Sequence, residues 1–193
     1  MTRIIAGYAG SQRLAVPPTG TRPTSDRVRE AIFSALEARG AVAGSAVLDL
    51  YAGSGALGLE AASRGAAEIT LVEKNPAAAR VAKNNAAVIQ KAAAGAGQRG
   101  APKPRIHVLT QSVAHFLAAT VSTFDIVFVD PPYHLPEDEL ADGLRMLAPR
   151  VTPGAVIVVE RTSRSPQPTL PATLVVDRRK DYGETTLWWL TTA

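Results

Sequence analysis

Asp49-Leu50-Tyr51-Ala52-Gly53-Ser54-Gly55-Ala56-Leu57-Gly58 is the stretch on which the fold turns. The run from Val47 to Tyr51 has strand character, Ala52 to Gly55 forms a glycine-rich turn, and Ala56 opens a helix-forming segment. Glycine lets the backbone pass close to a ligand, and a helix N-terminus offers unpaired N–H groups. Glu73, at the end of the next apolar run, suits a bidentate hydrogen bond to ribose hydroxyls. Gly53, Gly55 and Gly58 also satisfy the dinucleotide fingerprint, so the turn alone leaves NAD, S-adenosylmethionine and a purely structural turn open. Asp49 favours a ligand with a cationic amino acid moiety, because a carboxylate ahead of the turn would repel a pyrophosphate.

The same alternation spreads outward from this unit. Strands are expected at Val47–Tyr51, Glu68–Glu73, Arg105–Thr110, Asp125–Asp130 and Ala155–Glu160, with helices at Ala56–Arg64, Pro76–Ile89, Val113–Ala119 and Glu137–Leu147. Asn75-Pro76 is a cap followed by a first-turn proline, and Gly65 is a helix stop. The strands are continuously apolar, as in a parallel sheet covered on both faces. Two final runs, Thr173–Val176 and Thr185–Leu190, read as a hairpin closing one edge. In that hairpin one ring of Trp188-Trp189 is expected in the core and the other over the edge. The expected fold is α/β and Rossmann-like, with a mostly parallel seven-stranded sheet. Ala92 to Gly100 reads as a low-complexity loop.

Ahead of this unit, residues 1–40 read as an extension. Arg3-Ile4-Ile5-Ala6 and Arg13-Leu14-Ala15-Val16 form a hairpin around Gly7 to Gly10. A helix capped by Thr24 or Ser25 then presents Val28, Ile32, Phe33 and Leu36 on one face, up to Gly40. The expected division is 1–40 for the extension and 41–193 for the main domain.

Asp130-Pro131-Pro132-Tyr133 carries the chemistry. It follows Ile126-Val127-Phe128-Val129, at the carboxyl end of a buried strand, where open α/β sheets bind ligands. An exocyclic amine on a flat ring is a poor nucleophile because its lone pair is delocalised. The Asp130 carboxylate and the Pro131 carbonyl can accept the two amine protons, localising that lone pair, while the Tyr133 ring stacks on the base. A proline-terminated strand running into a turn is the plainer alternative.

Composition narrows the function further. The 193 residues contain no cysteine, which excludes disulfides, thiolate metal sites and cysteine nucleophiles;. No apolar run reaches membrane-spanning length and the start lacks the apolar core of a signal peptide, so a cytoplasmic enzyme is expected. Net charge is +4, and the first forty residues hold Arg3, Arg13, Arg22, Arg27, Arg29 and Arg39 against Asp26, Glu30 and Glu37. Arg3, Arg13, Arg22 and Arg27 are the candidates for phosphate contact. For Arg27 and Arg29 an ion pair with Asp26 or Glu30 is the alternative. His107 falls in a buried-strand pattern, His115 starts a helix, and their spacing matches no metal site. His134 stands beside Tyr133, either lining the substrate slot or facing solvent.

Taken together, Arg3-Ile4-Ile5-Ala6-Gly7, the segment from Arg22 to Glu30, the turn from Asp49 to Glu60 and Asp130-Pro131-Pro132-Tyr133 resemble the bacterial small-subunit rRNA guanine-N2 methyltransferases of the RsmD family. The resemblance implies a class I methyltransferase domain using S-adenosylmethionine, acting on a guanine in the helix-31 loop of 16S rRNA in the small subunit or its assembly intermediate. It implies cofactor contacts from Asp49, Tyr51, Gly53, Ser54, Gly55, Leu57, Glu73 and Lys74. Asp130, Pro131, Pro132 and Tyr133 would meet the guanine. Many relatives of the wider class contact adenine through an acid or amide after the third strand. Here Gln111 and Ser112 stand in its place, leaving adenine to Ser112, the Val113 backbone and apolar contacts. No metal and no membrane partner are implied. The rival readings are an NAD-dependent oxidoreductase, for which no hydride-transfer acid or base is evident, and a non-catalytic RNA-binding assembly factor.

Overall fold

A buried carboxylate shortens the N-terminal hairpin. The computed structural model describes residues 2–17, 25–95 and 103–193. In it only β1 (Thr2–Arg3) and β2 (Arg13–Leu14) pair, antiparallel, although the sequence predicts four-residue strands. The Ile5 and Ala6 N–H groups donate instead to Glu60, at 2.7 and 3.0 Å. These donors are therefore satisfied without a strand partner. α1 (Asp26–Ala38) starts at Ser25, whose hydroxyl accepts the Val28 N–H, and buries Val28, Ile32, Phe33 and Leu36 as their spacing predicts.

The alternating unit follows as β3 (Ala46–Leu50), α2 (Ala56–Ser63), β4 (Glu68–Glu73), α3 (Pro76–Gly95), β5 (Arg105–Thr110), α4 (Val113–Ala119), β6 (Phe124–Val129), α5 (Glu137–Leu147), β7 (Val151–Thr162), β8 (Leu174–Tyr182) and β9 (Thr185–Thr192). The sheet order is β5-β4-β3-β6-β7-β9-β8. It is parallel from β5 to β7, and β9 runs antiparallel to both its neighbours. This is the seven-stranded, mostly parallel α/β sheet expected from the sequence.

Side chains of each strand enter two layers in turn, because successive residues point to opposite faces. Along β6, Ile126 and Phe128 join a cluster with Phe33, Leu59 and Leu71, whereas Val127 and Val129 join one with Leu50, Phe116 and Leu144. Both faces are buried, hence the unbroken apolar runs. Ile4, Ala9 and Leu14 belong to the first layer, and the Phe33 ring lies 5.7 Å from that of Phe128. The described residues of the N-terminal extension thus share a core with the strand that leads to Asp130.

Several elements outrun their expected lengths. α3 continues past Ile89 to Gly95, taking in Ala92 to Gly95 of the expected loop, since alanine is the strongest helix former;. Residues 96–100 of that loop lie outside the described residues. β8 continues through Asp177-Arg178-Arg179-Lys180, past an irregularity between Val176 and Arg178; charged side chains are tolerated there because β8 is an edge strand;. Trp188 and Trp189 are both buried, correcting the expected core-and-edge pair. β9 lies inside the sheet, so the two rings enter opposite layers. Arg178 stacks over Trp189 at 4.9 Å and Arg179 over Trp188 at 5.1 Å. His107 is exposed rather than buried, because β5 is the other edge, and it lies 3.7 Å from Glu68.

A candidate active site at the strand tips

The chain leaves β3 for β4 and β5 on one side, then returns to β6 on the other. Connections therefore diverge between β3 and β6, where a crevice opens beyond the carboxyl ends. Leu50 is the register partner of Val129, which brings Tyr51 and the glycine turn beside Asp130. Sequence alone could not place these two segments, about eighty positions apart, at one spot.

The turn is held open by backbone strain and close packing. Gly53 and Gly55 have φ of +54° and +80°, and a Cβ on Gly53 would meet nothing within 4 Å. Gly53 thus leaves room for a ligand to approach the backbone. Gly58 serves packing instead, since a Cβ there would stand 2.3 Å from a Leu71 methyl. Tyr51 also has a left-handed φ, +62°, which is costly for a bulky residue;. Burial pushes its phenol up to about 12; nearby Glu139 adds to this and Arg161 opposes it.

Three carboxylates flank the crevice. Asp49 is buried and accepts the Gly58 N–H at 2.9 Å. Burial raises its carboxyl to about 7; the Gly58 N–H lowers it, while the charges of Asp130 and Glu73 raise it. Glu73 accepts from the Gly53 N–H (2.9 Å) through one oxygen and from the Asn75 N–H (2.7 Å) through the other. Each oxygen retains a lone pair for a hydroxyl. Asp130 is half-buried, and its charge is near enough to Asp49 to raise that carboxyl. Such a set suits a cation and repels an anion.

The Asp49 carboxyl carries a pH signature. Its pKa in the folded protein lies above the ordinary value of 3.8. The stabilisation from holding the proton is therefore complete below that value and lost as pH rises through about 7. The difference between the two limits is on the order of 4 kcal/mol. Unliganded Asp49→Asn should then lose less thermal stability than the parent between pH 5 and pH 8.5. Parallel melting curves for the two proteins would refute this assignment.

Beyond β6, Pro131 is buried, Pro132 half-buried and Tyr133 54% exposed. The Leu135 N–H closes a turn on the Pro132 carbonyl at 2.9 Å, and the Leu135 side chain anchors the loop in the second layer. Ser54 and Leu57 are buried within the turn and helix start, and Lys74 is exposed beside Glu73. Ser112 caps α4 by accepting the His115 N–H, with Val113 buried behind it, past the tip of β5 and two strands from the crevice centre. His134 is exposed.

The arginines separate into two kinds. Arg3, Arg13 and Arg27 are exposed, Arg3 lying 3.7 Å from Asp26. Arg29 is fully buried and bonds Asp26 at 2.7 Å, so here the ion-pair alternative holds. Arg22 lies outside the described residues. Among the described residues no group of three or more metal-ligating side chains comes together, and no helix is long and apolar enough to cross a membrane. A cavity of about 440 Å³ near Arg39, Ser45, Asp125 and Thr152 lies at the amino ends of β3, β6 and β7, far from this crevice.

A family model described as Conserved hypothetical protein 95 matches residues 2–191. The chain is 35% identical over 185 residues to ribosomal RNA small subunit methyltransferase D of Escherichia coli, covering 94% of this chain and 85% of that protein. The chain belongs to the RsmD family. A Thermus thermophilus structure described as a hypothetical protein superposes with a TM-score of 0.79 at 33% identity, covering all of both chains. Magnesium protoporphyrin IX methyltransferase from Synechocystis, solved with bound S-adenosylmethionine, shares the fold at a TM-score of 0.62 and 14% identity over 90% of this chain and 87% of that one.

Within this RsmD-family fold, three residues escaped the sequence reading or had no role assigned to them. Asn85 is buried; its carboxamide accepts the Ala15 N–H and donates to the Ala15 carbonyl, each at 2.9 Å, and donates to the Ser54 carbonyl at 2.9 Å. It ties the N-terminal segment to the glycine turn. Its signal was a polar residue on the Ala78, Ala82, Ile89 face of α3. Glu60 joins the Ile5 and Ala6 N–H groups to Arg64 (2.7 Å) and Arg29 (3.8 Å). The third is Arg161, buried beneath the Asp130 loop.

Proposed function

We propose that this protein transfers a methyl group from S-adenosylmethionine to the exocyclic N2 of one guanine in 16S rRNA, in the helix-31 loop of the small subunit. The observation that carries the reading is the register of β3 with β6, Leu50 beside Val129, which sets the Asp130 tip next to the Asp49 strand and its glycine turn. Membership of the RsmD family supports the rRNA substrate. The residues present fit the cofactor: a buried carboxylate lacking a cation, a second carboxylate with ribose-directed lone pairs, and a glycine turn with open space. A dinucleotide would set its pyrophosphate against three acids, which disfavours the oxidoreductase reading.

S-adenosylmethionine supplies an electrophilic methyl group. Asp49 holds the cationic end and Glu73 the ribose. The guanine leaves its loop and stacks on Tyr133, and the Asp130 carboxylate and Pro131 carbonyl accept its N2 protons. The amine would then form its N–C bond in line as the S–CH3 bond breaks, the neutral thioether leaving and one N2 proton passing to the Asp130 carboxylate. Positioning and charge placement supply most of the rate.

Residues 1–40 serve in this reading as the RNA-contacting extension, through Arg3, Arg13, Arg22 and Arg27. Arg13→Gln should weaken binding to an rRNA fragment and flatten the dependence of log affinity on log salt by about one unit, measured from about 50 to 200 mM. An unchanged slope would remove Arg13 from the interface. The activity itself is tested by methyl transfer to small subunits from a strain lacking the protein, with mapping of the modified nucleotide. Titration calorimetry with S-adenosylmethionine and NAD separates the enzyme readings, and methylation elsewhere would refute the assigned target.

A further inference from the structure

Arg161 ends in a buried guanidinium, its side chain 3% exposed, on the strand next to the one that carries Asp130. Its Nη2 donates to the Leu135 carbonyl at 3.1 Å and to the Glu137 carboxylate, at the start of α5. Its Nε is buried with no hydrogen-bond partner. The same charge acts on the Tyr51 phenol across the tip of β6. One cation thus bonds the substrate loop and the first residue of the helix that follows it, and its charge reaches the residue that opens the glycine turn.

Stability does not account for this arrangement. A buried ion pair with an unmet donor is often no better than an apolar side chain of similar volume. The loop itself gives a reason. Three of its seven residues from Asp130 to Pro136 are prolines without an N–H, so the backbone has few bonds with which to fix itself;. Leu135 supplies one internal bond, to Pro132, and its carbonyl takes the bond from Arg161.

We propose that Arg161 is a positioning residue: by holding the Leu135 carbonyl and Glu137, it sets where the Asp130–Tyr133 tip stands relative to Tyr51. It thereby sets where a flat base is presented to the methyl donor. This inference rests on the methyl-transfer reading of the site.

The test compares the full-length protein with Arg161→Met and Arg161→Lys. Amide exchange at Tyr133, His134 and Leu135, melting temperature, S-adenosylmethionine affinity and kcat on small subunits are measured together. In Arg161→Met the three amides should exchange faster, and kcat should fall roughly 10²-fold while cofactor affinity stays within about twofold. Arg161→Lys, which can still donate to Leu135, should recover part of kcat. Unchanged exchange, or faster exchange with unchanged kcat, overturns the proposal. So does a loss of kcat that merely tracks the unfolded fraction. Failure of the parent protein to methylate subunits would count against the activity reading alone, because the exchange measurement needs no turnover.

Discussion

Asp130→Ala should lower methyl transfer by about 10³-fold or more, as expected when a group that polarises the reacting amine is removed. Cofactor affinity should hold or improve. The reason lies in the neighbouring acid: Asp130 raises the Asp49 carboxyl, and without it Asp49 ionises more readily to meet a cationic ligand. Asp130→Asn, which keeps one acceptor oxygen, should fall between the two. Single-turnover rates at saturating cofactor, together with calorimetric affinities, separate these effects. Turnover within tenfold of the parent would remove Asp130 from the chemistry, while a parallel loss of cofactor binding would make it a structural residue of the cofactor crevice.

Glu60→Ala should be the most destabilising single change considered. The carboxylate is fully buried and serves the Ile5 and Ala6 N–H groups, Arg64 Nε and the neighbouring Arg29 guanidinium. Arg29, itself 0% exposed, also bonds the Arg3 carbonyl and Asp26, each at 2.7 Å. Removing the acid leaves a buried cation and two half-buried N–H groups short of a partner. The expected loss is roughly 3–5 kcal/mol, because breaking a buried pair costs far more than the pair contributes. At this chain length that corresponds to a melting temperature lower by roughly 10 °C. The N-terminal segment should undock first, so amide exchange at Ile5 and Ala6 should rise more than in the sheet, and rRNA affinity should fall with it. Combining Glu60→Ala with Arg29→Met should recover part of the loss. A melting temperature within about 2 °C of the parent would show the network to be nearly neutral.

Some of this architecture was legible in linear order. Local rules covered it: an unbroken apolar run for a strand buried on both faces, Asn75-Pro76 for a helix start, glycines where φ is positive. They failed where burial depends on a neighbour. Trp188 and Trp189 look alike in sequence, but both are buried because β9 lies between β7 and β8. His107 sits in an apolar run yet faces outward because β5 has no strand beyond it. Ile5 and Ala6 read as strand, but their N–H groups go to an acid some fifty-five residues away.

The candidate site divides along the same line. Asp49, Gly53, Gly55 and Glu73 were readable because a strand, a turn and a helix start are consecutive along the chain and their chemistry depends on local backbone conformation. Asp130 to Tyr133 were readable because residue type alone gives them their acceptors and ring. Whether these two segments share a crevice depended on β6 returning beside β3, a long-range pairing that local sequence does not encode. Asn85, Glu60 and Arg161 depended on it more heavily still. Each is a polar group whose role consists of the partners brought to it, and apart from Arg64, one turn of helix from Glu60, those partners lie 24 to 70 positions away in the chain.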